Sequence, residues 1–169
     1  MIWLEELQTR KKISKIFLAY EKTFPKDERR NKNQFFGLLE KPNCYIFGVR
    51  TDENLVGYLI LWKLTNFHFL EHFEVFEEFR NLKLGSQILA DVKERFGPLV
   101  LESEPSHLDT MAERRINFYL RNGFSVVSQT YIQPSYEPGK NPLNLFLLSD
   151  FEVQNITEIE QEIFSVVYS

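Results

Sequence analysis

The middle of the chain limits the fold most. Three apolar, strand-like runs follow one another: "CYIFGVR", "LVGYLILWKL" and "NFHFLEHFEVF", from residue 44 to residue 76. Only the polar, turn-forming "TDEN" separates the first two, so they read as an antiparallel hairpin. Such a block argues against a purely parallel, doubly wound sheet. Helical spacing surrounds it. Ile13, Ile16, Phe17, Tyr20 and Phe24 share one face of a helix within 8–24, which Pro25 ends. "KDERRNKNQFFGLLE" reads as a second helix whose charge run is a solvated face. Leu84, Ile88, Leu89, Val92 and Phe96 mark a third, stopped by Gly97-Pro98.

"IWLEEL" opens the chain as a short strand, and "LVLESE" is a nearly continuous apolar one. "DTMAERRINFYLRNGF" is a helix closing at Asn122-Gly123. "FSVVSQTYI" and "LNLFLLS" are strands, and Ile156, Ile159, Ile163 and Val166 give a last helix. The expected order is β-α-α-β-β-β-α-β-α-β-β-α, a mixed sheet with helices on its faces. With 169 residues and no linker or repeat, residues 1–169 are expected to form one domain.

Composition narrows function. A net charge of −4 gives no support for non-specific nucleic-acid binding, and suits a cationic or amine substrate better than an anionic one. No apolar run approaches a membrane span, and the N-terminus does not resemble a signal peptide. The one cysteine, Cys44, sits in an apolar run and fits a reducing, cytoplasmic setting.

His68, Glu71 and His72 spell H-x-x-E-H, the inverted zinc-protease motif, which needs a helix to bring both histidines to one metal. Phe67, Phe69, Phe73 and Val75 alternate instead with period two, so the stretch is expected to be a strand. The histidine Cα atoms would then stand roughly 13 Å apart, too far to share one zinc ion without a sharp bend. His107 offers no recognisable third-ligand motif, and no metal is expected. Glu71 falls on the odd face between Phe69 and Phe73, where desolvation should raise its pKa toward a general base's range. The alternatives are a water-filled strand end or an arginine partner.

Directly after this strand, Arg80, Lys83, Gly85 and Ser86 gather at a helix start, where unpartnered N–H groups favour an anion. Gly85 would let a phosphate approach the backbone closely. Neither the dinucleotide nor the Walker pattern is present.

"FEVFEEFRNLKLGSQIL" resembles the acetyl-CoA motif of the GNAT N-acetyltransferases, in which [RQ]-x-x-G-x-[GA] opens a helix after an apolar strand. Arg80, Asn81, Leu82, Lys83, Leu84 and Gly85 fill the six positions, with Lys83 in place of the first glycine. "RRINFYLRNGF" resembles the family's Y-x-x-x-G-F helix at Tyr119, Gly123 and Phe124, with Arg115 where a small residue is usual. "EHF" with Gln133, Pro134 and Tyr136 resembles a bacterial branch of the family.

The resemblance implies an α/β (α+β) fold: a mixed, mostly antiparallel sheet, splayed into a V between its central strands, with helices on both faces. It implies acetyl-CoA as co-substrate, with Phe73 and Val75 giving backbone contacts to the pantetheine and thioester. Amides from Leu82 to Ser86 would cradle the pyrophosphate, and Asn117 would touch the CoA arm. A primary amine of a small molecule or peptide would attack the acetyl carbonyl directly. Glu71 is the first candidate base, with Glu74 and His72 behind it, and Tyr119 is the candidate acid. Tyr20, Phe24 and Tyr136 would line the acceptor pocket. A non-catalytic acyl-CoA-binding module is the alternative, and a homodimer is left open.

Overall fold

The structure is a computed structural model describing all 169 residues. Seven strands form one sheet in the order β1-β2-β3-β4-β5-β7-β6. They are β1 (Trp3–Glu6), β2 (Cys44–Arg50), β3 (Leu55–Lys63), β4 (His68–Val75), β5 (Leu99–Ser103), β6 (Ser125–Gln133) and β7 (Leu143–Ser149). The helices are α1 (Arg10–Thr23), α2 (Lys32–Gly37), α3 (Leu84–Phe96), α4 (Thr110–Arg121) and α5 (Ile156–Val167). The element order is the one expected. Every strand pair is antiparallel except β4 with β5. No helix is long and apolar enough to cross a membrane.

The sheet separates two cores. On one face α1, α2 and α5 bury Ile13, Ile16, Phe35 and Ile163 against Ile60, Trp62 and Phe69. On the other, α3 and α4 bury Ile88, Leu89, Val92 and Ile116 against Leu59, Leu61 and Leu70. The helix starts show why these segments begin where they do. Thr9, Asn31, Asp109 and Asn155 each accept a backbone N–H from the first turn of α1, α2, α4 and α5. The α3 N-cap, Lys83, makes no such bond.

The second expected helix is not continuous. Residues 26–28 form a 3-10 turn, Arg29 is extended, and α2 begins only at Lys32, where Asn31 and Gln34 form a capping box. Residues 38–40 are again 3-10. The reading of its charge run as a solvated face also fails at one residue: Arg30 is buried, 6% exposed. The chain breaks there because the Arg30 side chain is drawn into the core by partners distant in sequence.

Two features of β4 shape everything else. It pairs with β5 only at His68–Leu70 opposite Leu99–Leu101, and beyond that the two parallel strands diverge. Against β3, Leu70 faces Leu61 and His72 faces Ile60, which leaves Glu71 as an extra, bulged residue. The bulge inverts the alternation expected from the sequence. Phe67 and Phe69 point into the α1/α5 core, whereas Phe73 and Val75 pack on the α3/α4 side. His72 instead lies against the rings of Tyr20 and Phe24, on the α1 side.

Candidate active site

Glu71 sits at the apex of the V, and its carboxylate is fully engaged. Arg30 Nη1 donates to Oε2, as does the Tyr136 hydroxyl at 2.7 Å, and Trp62 Nε1 donates to Oε1 at 2.9 Å. Burial alone would push its pKa up. The adjacent Arg30 guanidinium, His72 and the hydroxyl and indole donors outweigh burial, and the pKa lies below the ordinary carboxylate value. The expected rise is therefore reversed, because the apolar flank seen in sequence is replaced by three polar donors brought from elsewhere in the chain.

Arg30 is the matching half of this hub. Its Nη2 donates to the Val167 carbonyl at 2.9 Å, and its backbone N–H donates to the Tyr20 hydroxyl at 2.7 Å. Its guanidinium also lies over the rings of Trp62 and Tyr136. One buried ion pair thus ties the α1–α2 connection, β3, β4, the β6–β7 loop and α5 together. Further bonds fasten the same segments. Gln34 Nε2 donates to the Tyr136 carbonyl at 2.7 Å, and Gln133 Nε2 donates to the Asp27 carbonyl at 3.2 Å. Sequence reasoning missed Arg30, because inside the charge run "KDERRNK" nothing local sets it apart from its neighbours.

The candidate pocket residues divide accordingly. Tyr20 is wholly buried and braces Arg30, so it lines no open pocket. Phe24 and Tyr136 are partly exposed. His72 is buried, and burial lowers its pKa to about 4, so the ring is neutral near pH 7. His68 lies on the same strand, and no group of three His, Cys, Asp or Glu side chains is placed to hold a metal ion.

Two other carboxyls on the arms of the V keep spare capacity. Glu74, on β4, accepts from Thr23 Oγ1 at 2.6 Å, while its buried Oε2 has no partner. Glu102 is the first residue of β5 past the last β4 pair. Its Oε1 accepts from the Tyr168 hydroxyl, its Oε2 is buried without a partner, and burial raises its pKa to about 8. Sequence reading passed over Glu102. A lone Glu inside "LVLES" was the available signal.

The cofactor side is open where the strands part, since the β5-facing edge of residues 71–75, Phe73 and Val75 included, has no strand partner. A 3-10 turn (Glu77–Phe79) then leads to the start of α3. Asn81 and Lys83 are left-handed there, with φ of 66° and 59°. Lys83 therefore does not take the negative φ that would make it an easy replacement for glycine. The uncapped N–H groups of Leu84, Gly85 and Ser86 are free to hold an anion. Arg80 is tied back to β4, its Nε donating to the Val75 carbonyl at 3.0 Å, and Leu82 is exposed. At Gly85, a Cβ would meet the Phe118 ring at 3.0 and 3.3 Å, so any larger residue would need the ring to shift by a few tenths of an ångström. Tyr119, on α4, is 8% exposed beside Phe118 and Phe124, and burial pushes its hydroxyl up to about 12. Asn117 is exposed on the same helix. This arrangement fits acetyl-CoA: an unpaired strand edge can hold an amide-rich arm and an uncapped helix start a pyrophosphate.

Comparison with known proteins agrees. The family model for the acetyltransferase (GNAT) family matches residues 10–124. YjbC of Bacillus subtilis (strain 168), a presumed acetyltransferase, is 32% identical over 110 residues, which cover 62% of this chain and 55% of that protein. The chain thus matches little more than half the length of that relative. A presumed GNAT acetyltransferase from Bacteroides thetaiotaomicron superposes with a TM-score of 0.86 at 26% identity over 98% of both chains. A GNAT acetyltransferase from Elizabethkingia anophelis with acetyl-CoA bound superposes at 0.60, with 18% identity, over 88% of this chain and 96% of that one. With the family model matched over more than half of its length, the chain belongs to the acetyltransferase (GNAT) family.

Proposed function

We propose that this protein is an acetyl-CoA-dependent N-acetyltransferase that acts on an amine in the cytoplasm, through one domain. The observation that carries the reading is the parting of β4 and β5 after three residue pairs, with the uncapped start of α3 at the open end. Acetyl-CoA, when bound, supplies an activated acetyl thioester. Backbone groups of Phe73 and Val75 hold its arm, and the amides of Leu82 to Ser86, with Arg80, Asn81 and Lys83 in the same loop, hold its phosphates. Asn117 is a further contact for the arm.

An amine must shed a proton to attack. Glu71 is poorly suited to accept it, because three donors, the Arg30 guanidinium among them, already stabilise its charge. We assign Glu71 to positioning: it holds the bulge and the acceptor-side segments in place. Glu102 lies at the same apex with a free oxygen and a pKa near that of a base working around neutrality, and it takes the proton. Tyr119 stays protonated and donates to the departing thiolate. Phe24 and Tyr136 offer their exposed edges to the acceptor.

The test combines thermal stability with acetyl-CoA or zinc and release of free CoA against an amine panel. Stabilisation by acetyl-CoA with amine-dependent CoA release is expected. Stabilisation without release from any amine would make the protein a binding module. Stabilisation by zinc alone would overturn the reading.

A further inference from the structure

Glu102, the group assigned to take the amine's proton, has strikingly few partners of its own for a buried carboxyl. On one side β7 sets Leu147 opposite it and carries no ionisable side chain, and on the other β4 has already parted from it. Oε1 accepts from the Tyr168 hydroxyl, and Oε2 has no partner. The other ionisable groups facing it are Tyr131 on β6, Glu71 on β4, Arg30 and Glu28 from the α1–α2 connection, and Tyr136 from the β6–β7 loop. None of them completes a hydrogen bond to it. The Tyr131 hydroxyl is unpartnered, Arg30 is bound to Glu71 and the Val167 carbonyl, and Tyr136 donates to Glu71. Tyr168 alone completes one.

Tyr168 follows α5 directly and is itself fixed at two further points. The Val167 carbonyl before it accepts from Arg30 Nη2 at 2.9 Å. Its ring packs against that of Tyr136, with centroids 5.3 Å apart. Two neighbouring phenols thus serve one carboxyl each, Tyr136 the clamped Glu71 and Tyr168 the otherwise free Glu102. Burial, with the Glu102 charge beside it, holds the Tyr168 hydroxyl well above the ordinary phenol pKa, so it remains a donor. A donor on one oxygen fixes the carboxyl's rotation and favours its charged form, which opposes the burial that raises the Glu102 pKa.

We propose that Tyr168 is a positioning residue for the acetyl transfer: its hydroxyl holds Glu102 by Oε1 and leaves Oε2 as the oxygen that receives the amine's proton. This rests on the assignment of Glu102 as the base, but the hold of Tyr168 on Glu102 can be measured without turnover.

The experiment compares Tyr168→Phe, which keeps the ring against Tyr136, with Ile163→Val, which trims the buried face of α5 and leaves the hydroxyl in place. The Glu102 carboxyl is titrated by carbon NMR of protein carrying labelled glutamate, its resonance identified by its loss in Glu102→Gln. The pH profile of CoA release from acetyl-CoA is measured separately, with propylamine as acceptor. Tyr168→Phe is expected to raise the carboxyl pKa by about one unit or more, as loss of a charge-assisted hydrogen bond requires. The acidic limb of kcat/KM should move up by the same amount, giving a loss of about 10-fold at pH 7 that is recovered as pH rises. Ile163→Val should move neither, since a loosened helix does not remove the donor. A carboxyl pKa that Tyr168→Phe leaves within about 0.3 unit of wild type, or that Ile163→Val raises equally, overturns the inference whether or not propylamine is turned over. A carboxyl that shifts while the kinetic limb stays in place upholds the hold of Tyr168 and counts against Glu102 as the base alone.

Discussion

Replacing Glu71 by Gln probes the buried hub most directly. The amide keeps nearly the same shape but removes the charge opposite Arg30, which is 6% exposed. It also sets an NH2 group among three donors, Arg30 Nη1, Trp62 Nε1 and Tyr136 Oη, so at least one contact becomes donor against donor. Removing one partner of a buried ion pair costs about 3–5 kcal/mol. For a chain of this size that corresponds to a fall in Tm of roughly 6–20 °C. Urea unfolding at pH 7 measures it, with Arg30→Met and the double variant completing a cycle. Once Arg30 is gone, the amide introduced by Glu71→Gln no longer faces an uncompensated charge. The double variant should therefore lose less than the sum of the single losses, by about 2–3 kcal/mol. A Glu71→Gln loss below about 1 kcal/mol, or additivity within about 0.5 kcal/mol, would refute the hub. The same variant separates positioning from base catalysis. A positioning Glu71 lowers kcat but leaves the shape of the pH–rate profile intact, whereas a base would take its limb of the profile with it.

Tyr119→Phe removes only a hydroxyl and should lower kcat by about 100-fold or more with Tm unchanged; a kcat within about twofold of wild type would exclude it as the acid. Gly57→Ala would drive a Cβ into the Glu74 carbonyl oxygen and set it 3.2 Å from Val75 Cα, so β3 and β4 must move apart. A loss of about 1–3 kcal/mol with weaker acetyl-CoA binding is expected by unfolding and calorimetry, and no change in either would contradict the close approach. His72 has its folded pKa lowered from 6.5 to about 4 by burial, so its stabilising contribution is present above 6.5 and fades as pH falls toward 4. The stability gap between wild type and His72→Asn should narrow over that window, and a gap constant with pH would mean that His72 is not buried neutral.

The order of elements, the hairpin of β2 and β3, the third helix and the strand–loop–helix turn that leads into it could all be read from the chain, because each is encoded by residues close in sequence. Period-two and period-3.6 patterns, Pro25, Gly97 and Gly123 are local signals of that kind. Even the residues "EHF", Gln133 and Tyr136 could be singled out together, and the structure brings Glu71, His72 and Tyr136 to one place.

What those residues do was decided by partners far away in the chain. The alternation in "FHFLEHFEVF" suggested a carboxyl among aromatics, and the bulge against β3 inverted the second half of that pattern. Arg30, lying 41 residues from Glu71, turned an expected base into a clamped anion. Glu102 gained its place at the apex from the point where β4 and β5 cease to pair. Local periodicity fixes which way a side chain tends to point. Burial, charge compensation and pKa depend on what tertiary packing sets opposite it, and no short stretch of sequence carries that information.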